Sequence, residues 1–204
     1  MANSPLSTQI QPRSPQGGFV NEPFLNFKAP ENIRTMQNAL DLVSSQLGEE
    51  YDLIIGGHRL KTESKIRSLN PARPAQLVGV HQKADAEHAE LAMQAALHAF
   101  ESWSRTPVET RTSILFGAAE IIRKRKFEFC AWLTFEVGKN WAEADADVGE
   151  TIDFLEFYAR EALRLSRSAP PIQLPGERDE FFYIPLGVGA VIPPGISPSP
   201  SWQA

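Results

Sequence analysis

Residues 181–204, FFYIPLGVGAVIPPGISPSPSWQA, constrain this chain more than any other stretch. Residues 183–192 are apolar nearly throughout and are spaced by Gly187 and Gly189. A run with no polar alternation predicts a strand buried on both faces, as in a parallel α/β sheet. Beyond Pro194 the chain turns small, polar and proline-rich, with Gly195, Ser197, Pro198, Ser199, Pro200 and Ser201. That composition cannot extend a core. The expected fold class is α/β. Residues 1–18, rich in Ser, Pro, Gln and Gly, are expected to be a disordered N-terminus, 19–194 the folded body, and 195–204 a disordered tail.

Charge narrows the function. The formal net charge of -5 argues against a nucleic-acid binder, which would show a basic face. No apolar run approaches the about 18 residues that a membrane-spanning helix needs. The N-terminus has no apolar signal core, so a cytoplasmic protein is the expectation. The single cysteine excludes an internal disulfide and fits a reducing compartment.

Along the chain, residues 19–27 (FVNEPFLNF) hold three phenylalanines without period, which suggests an anchoring arm on the folded surface. Pro30 opens a helix to about Leu47, with Ile33, Met36, Leu40, Val43 and Leu47 on one stripe and Gly48 as its stop. Residues 51–55 and 58–61 read as a hairpin across Gly56-Gly57. Residues 65–69 and 76–81 add short strands, all expected to be antiparallel. Asp85 looks like an N-cap for a helix to Trp103 with a small-residue stripe for close packing. Thr106-Pro107-Val108-Glu109 reads as a capping box with proline in the first helical position. Its helix is expected to bury Ile114, Leu115, Ala118, Ile121 and Ile122. Arg123-Lys124-Arg125-Lys126 reads as a solvated helix end. Residues 127–137 continue helical to Gly138. Residues 141–165 form one long helix, with Ala144, Val148, Ile152, Leu155, Tyr158, Ala159 and Ala162 on its apolar face.

Little here announces chemistry. Cys130 sits in an apolar helical stretch, as a buried structural cysteine would. His58, His81, His88 and His98 show no metal-ligand spacing, so no metal is expected. Gly187-Val188-Gly189 lacks the third glycine and the following helix of a dinucleotide loop. Composition and spacing alone stop at an α/β domain.

Several separated motifs go further. They are Asn21-Glu22-Pro23-Phe24, Ile55-Gly56-Gly57 and Ser68-Leu69-Asn70-Pro71. Downstream come Glu136-Val137-Gly138-Lys139-Asn140-Trp141, Ile152-Asp153-Phe154, Tyr158-Ala159-Arg160 and the 181–187 run FFYIPLG. In this order they resemble the aldehyde dehydrogenase superfamily, and within it the L-glutamate γ-semialdehyde (Δ1-pyrroline-5-carboxylate) dehydrogenases. The resemblance covers residues 19–194. It implies the N-terminal part of the NAD-binding domain: small antiparallel strands, packed helices and the first strand of a Rossmann-type sheet. The implied activity is NAD-dependent oxidation of the semialdehyde to L-glutamate in proline catabolism, with a small-molecule aldehyde as substrate. Neither nucleic acid nor membrane is implied as a partner, and intact members are expected to be homo-oligomers.

The resemblance places Glu150 at the substrate entrance, facing an ammonium group. It places Ile192, Pro193 and Pro194 beside the cofactor. It assigns no catalytic residue here, because the family's nucleophilic cysteine, base glutamate and oxyanion asparagine have no match in this chain. The family's strand leads into Trp-Asn-Phe-Pro. Inserting one thymine before the Gly195 codon lets the shifted frame read Trp-Asn-Phe-Pro-Leu-Ala-Ile-Leu-Ala-Gly, so a single-nucleotide deletion at that junction is expected. The chain as written is expected to be inactive alone. The alternative is a non-catalytic helical fragment that binds a partner such as an intact homologue.

Overall fold

Helices α1 (Pro30–Ser44), α4 (Lys126–Val137) and α5 (Trp141–Ser166) meet along their apolar stripes, and the core lies where they meet. The structure, a computed structural model, describes residues 18–167 and 171–192. Met36 and Val43 stand two turns apart on α1, and both are fully buried. They pack in one cluster with Cys130, Ala131 and Leu133 of α4, with Ala144, Val148 and Ile152 of α5, and with Ala119 of α3 (Val108–Lys124). Each large apolar side chain removed from water contributes roughly 1.5–3 kcal/mol, so these positions set how the helices pack.

The start of α5 is fixed by Asn140. Its side-chain oxygen accepts from the amides of Ala142 and Glu143 at 3.1 and 3.0 Å, and the Glu143 carboxylate accepts from the Asn140 amide at 3.3 Å. This reciprocal pair satisfies amides that the first turn leaves orphaned. The helix then runs unbroken to Ser166, through the expected span. Just before it, α4 ends at Gly138, whose φ of 75° is the left-handed cap conformation. A Cβ at Gly138 would lie 2.9 Å from Pro71 Cγ, so glycine also admits the Asn70-Pro71 loop.

Strands β1 (Glu50–Tyr51), β4 (Lys65–Leu69) and β5 (Leu77–Gln82) form a sheet in the order β1-β5-β4. The expectation of all-antiparallel strands fails at β1, which pairs with β5 in parallel. Residues 51–55 are not one strand either, because β2 (Leu53–Ile55) leaves for a separate hairpin with β3 (His58–Leu60). The reason is local. The buried Gln82 amide donates to Glu50 Oε1 at 2.9 Å and to the Tyr51 carbonyl at 3.1 Å, tying β1 to β5. Beyond Asp52, Gly56 and Gly57, with φ of 57° and 82°, close the hairpin as expected.

Several helical expectations need correction. On α2 (Ala86–Trp103), Asp85 caps as expected, accepting from the His88 amide at 3.0 Å. No α2 residue is buried, however, and Leu91, Leu97 and Trp103 are exposed. Along the small-residue stripe Ala89, Ala92 and Ala99 are exposed and Ala96 is only half-buried. On α3 the capping box does not form. The Thr106 hydroxyl turns back to the Ser102 carbonyl at 3.2 Å, and Pro107 at ψ 140° precedes the helix without a side-chain cap. The buried face of α3 is Thr112, Ala119 and Arg123. Turning these inward turns Ile114 and Ile121 out, to 55% and 56% exposure. On α5, Tyr158 lies outside the apolar face and is exposed.

The expected strand over 183–192 is also corrected. The segment makes no strand pairing, and Phe182, Ile184 and Leu186 are exposed. A strand buried on both faces exists only between neighbours that fill its ladder and cover its faces, and no described strand lies beside it. Of the expected disordered N-terminus at 1–18, residues 1–17 lie outside the described residues, as do Pro193, Pro194 and the tail at 195–204.

Candidate functional site

The site grows from acids along α5. Asp145 and Asp153 stand eight residues apart, a rise of about 12 Å. Asp145 Oδ2 accepts from the Leu25 amide at 2.7 Å, and Asp153 Oδ1 accepts from the Glu22 amide at 2.7 Å. Asp153 Oδ2 also accepts from Asn21 Nδ2 at 2.8 Å. Three extended residues reach about 10 Å, so the arm at 18–29 spans the two aspartates almost straight. The three phenylalanines of the arm divide their roles. Phe27 packs on Trp141, with ring centroids 5.7 Å apart, and Phe19 packs edge-on against Phe157 at 5.4 Å. Phe24 is exposed on the groove side.

The basic run beneath the arm is not a solvated helix end throughout. Lys124 and Arg125 are exposed, but Arg123 and Lys126 are buried. Lys126 Nζ lies 2.7 Å from Asp145 Oδ1 and donates to the Pro23 carbonyl at 3.0 Å. Asp145 Oδ1 has no directed hydrogen bond, so its compensation is this ion contact. Arg123 Nε donates to Glu22 Oε2 at 2.9 Å, while its two terminal nitrogens engage Glu156 and Glu120. Burial opposes the charge on Arg123, but its hydrogen bonds to Glu156 and Glu22 outweigh that and raise its pKa. Sequence reasoning missed this cluster. Its signal was present: Asp145 and Glu156 sit beside Ala144 and Leu155 on the apolar stripe, where an unpaired acid could not remain.

Between arm and α5 lies a groove of about 490 Å³, lined by Phe19, Asn21, Glu22 and Phe24 from the arm and by Ala146, Gly149, Glu150, Asp153, Phe154, Phe157 and Tyr158 from α5. Glu150 is exposed on its wall. Carboxylates beside aromatic faces suit a cationic group on an otherwise apolar molecule.

The remaining candidates do not join this groove. Cys130 is fully buried in the core, and its burial, followed by the Asp145 carboxylate, pushes its thiol up to about 12. Such a thiol holds its proton at neutral pH and is no nucleophile. Ile192 is 89% exposed on the extended segment, remote from any described phosphate-binding turn. Gly187 and Gly189 have open space where a Cβ would stand, and no helix follows them among the described residues. The described residues therefore build no dinucleotide cradle. Among them there is also no group of three or more potential metal ligands, and no helix long and apolar enough to cross a membrane.

Packed helices, small sheets, an arm and an acid-lined groove make this an α/β chain. It belongs to the aldehyde dehydrogenase family, whose profile matches residues 59–195. It is 52% identical over 176 residues to the 1-pyrroline-5-carboxylate dehydrogenase of Geobacillus thermodenitrificans, covering 86% of this chain and 34% of that protein. It is 48% identical over 176 residues to a 1-pyrroline-5-carboxylate dehydrogenase of Bacillus subtilis, with the same coverage of 86% and 34%. The crystal structure of 1-pyrroline-5-carboxylate dehydrogenase from Thermus with bound NAD superposes with a TM-score of 0.86 at 45% identity, covering 90% of this chain and 36% of that one. The chain thus spans about a third of the length of the curated relatives it matches. The observed helices and small sheets are those of the N-terminal part of this fold.

Proposed function

We propose that the protein is an NAD-dependent aldehyde dehydrogenase that oxidises L-glutamate γ-semialdehyde to L-glutamate, with residues 19–194 as the N-terminal portion of its NAD-binding domain. The observation that carries this reading is the 52% identity to a 1-pyrroline-5-carboxylate dehydrogenase over 176 residues. The aldehyde carbon loses a hydride to NAD and gains the oxygen of water, giving carboxylate, NADH and two protons. What this chain's residues contribute is binding. Glu150 offers a carboxylate to the substrate's ammonium group, in a groove whose aromatic walls cover its methylene chain. Cys130 is not the nucleophile, since its thiol stays protonated in the core. Ile192, Pro193 and Pro194 are assigned to the cofactor side by the same likeness. The setting is cytoplasmic, and the intact enzyme is a homo-oligomer.

The experiment compares NADH formation from glutamate semialdehyde by two products. One is the 204-residue chain. The other comes from the gene with one thymine inserted before the Gly195 codon. The chain as written is expected to form no NADH, and the second product to form it. Turnover by the 204-residue chain would refute the exclusion of Cys130. Silence of the second product with this substrate would overturn the substrate assignment.

A further inference from the structure

The buried charges at the arm have no role in the reaction proposed above, yet they are arranged with care around one residue. The side chains of Arg123, Glu22 and Glu156 are 2%, 7% and 3% exposed. Removing ions from water costs several kcal/mol each before pairing, so apolar residues would hold these elements together at least as well. What an ion cluster adds is geometry. The planar guanidinium fork donates to carboxylates only in defined directions. Here it takes one from the arm, one from its own helix and one from α5. Arg160, a turn beyond Glu156, donates to that carboxylate's other oxygen at 3.0 Å and lies 5.0 Å over the Phe116 ring, so Glu156 is held from both sides.

We propose that Arg123 is a positioning residue for the Glu150 groove. Through Glu22 it latches the arm, and the latched arm presents Phe19 and Phe24 as the wall opposite Glu150. Without the arm, Glu150 stands on an open helix face, where water screens its charge. With the arm seated, an ammonium group at Glu150 lies between aromatic rings, where both the charge attraction and the ring contacts are stronger. The arm's backbone is pinned on both sides of Pro23, at Glu22 by Asp153 and at Leu25 by Asp145. The Glu22–Arg123 pair adds a buried charged side-chain bolt to the Asn21–Asp153 hydrogen bond. The substrate side of this inference rests on the function proposed above, but the latch itself does not.

The test uses the 204-residue chain and two variants. Glu22→Ala removes the arm's carboxylate while Arg123 keeps Glu120 and Glu156. Glu22→Gln keeps the shape and an acceptor without the charge. Amide hydrogen exchange compares the arm amides of Glu22 and Leu25 with the core amides of Cys130 and Ala131. In Glu22→Ala the arm amides are expected to exchange about ten- to a hundredfold faster, with the core unchanged and Glu22→Gln intermediate. L-Glutamate, the product of the proposed reaction, is the ligand probe. It is expected to shift the Glu150 amide resonance in the unaltered chain and to need about tenfold more ligand in Glu22→Ala. Unchanged arm exchange in Glu22→Ala overturns the latch. Equal acceleration of arm and core overturns it too, because the pair would then hold the whole fold and not the arm. If L-glutamate leaves Glu150 unmoved in every protein while the arm responds as expected, the substrate assignment fails and the latch stands.

Discussion

Alkaline pH should destabilise this protein in part through the buried Cys130 thiol. Cys130 is fully buried among Met36, Val43 and the α5 stripe, and its thiol pKa stands at about 12 against an ordinary 9.0. Below the ordinary value both folded and unfolded thiols are protonated, and the thiol adds nothing pH-dependent. Above it, the unfolded thiol releases its proton while the folded thiol keeps it. The unfolded state then binds fewer protons, so stability falls as pH rises, and the loss is complete near the folded value. Near pH 10 the unfolded thiol is about nine-tenths ionised and the folded one almost wholly protonated, a penalty of about 1.4 kcal/mol relative to pH 8. Lysines and tyrosines titrate in the same range, so the measurement is a difference. Urea unfolding of the chain and of Cys130→Ala is followed at both pH values. The cavity left by Cys130→Ala lowers stability at either pH and cancels. The unaltered chain should lose about 1.4 kcal/mol more than Cys130→Ala between them. Parallel losses would refute the reasoning, and so would labelling of native Cys130 by a thiol reagent at neutral pH as fast as of the urea-unfolded chain.

Two further predictions concern helix ends. Gly138→Ala forces a Cβ into a left-handed residue and against Pro71 Cγ, so it should cost about 1–2 kcal/mol by thermal or urea unfolding, with part of the loss recovered in Gly138→Ala/Pro71→Ala. Asn140→Ala removes a formed capping box and should cost about 1 kcal/mol, whereas Thr106→Ala, which removes no cap, should change stability by less than about half that; equal costs at the two sites would contradict the assigned caps.

Much of the helical scaffold was legible along the chain. Met36 and Val43 recur at helical spacing, Asp85 precedes its helix and caps it, and Gly138 stops one as a left-handed glycine must. These are local properties of spacing, side-chain reach and backbone freedom, and a sequence carries them directly. The motifs from Asn21 to Arg160 likewise carried the family, because their order survives without any knowledge of contacts.

Other features depended on which elements come together in space. Arg123 and Lys126 look like solvated helix-end charges until the arm and α5 bring Glu22, Glu156 and Asp145 to them, more than a hundred residues away in the case of Glu22. Ile114 and Ile121 have the spacing of a buried face, yet α3 turns them outward because its ion cluster must face in. Thr106 fits a capping pattern, but its hydroxyl finds the nearer Ser102 carbonyl. The run over 183–192 has a strand's composition and no ladder, because a strand's hydrogen bonds belong to its neighbours as much as to itself. Composition and period decide what a segment can become, whereas burial of charge and pairing of strands are settled by partners distant in sequence, which only the tertiary structure supplies.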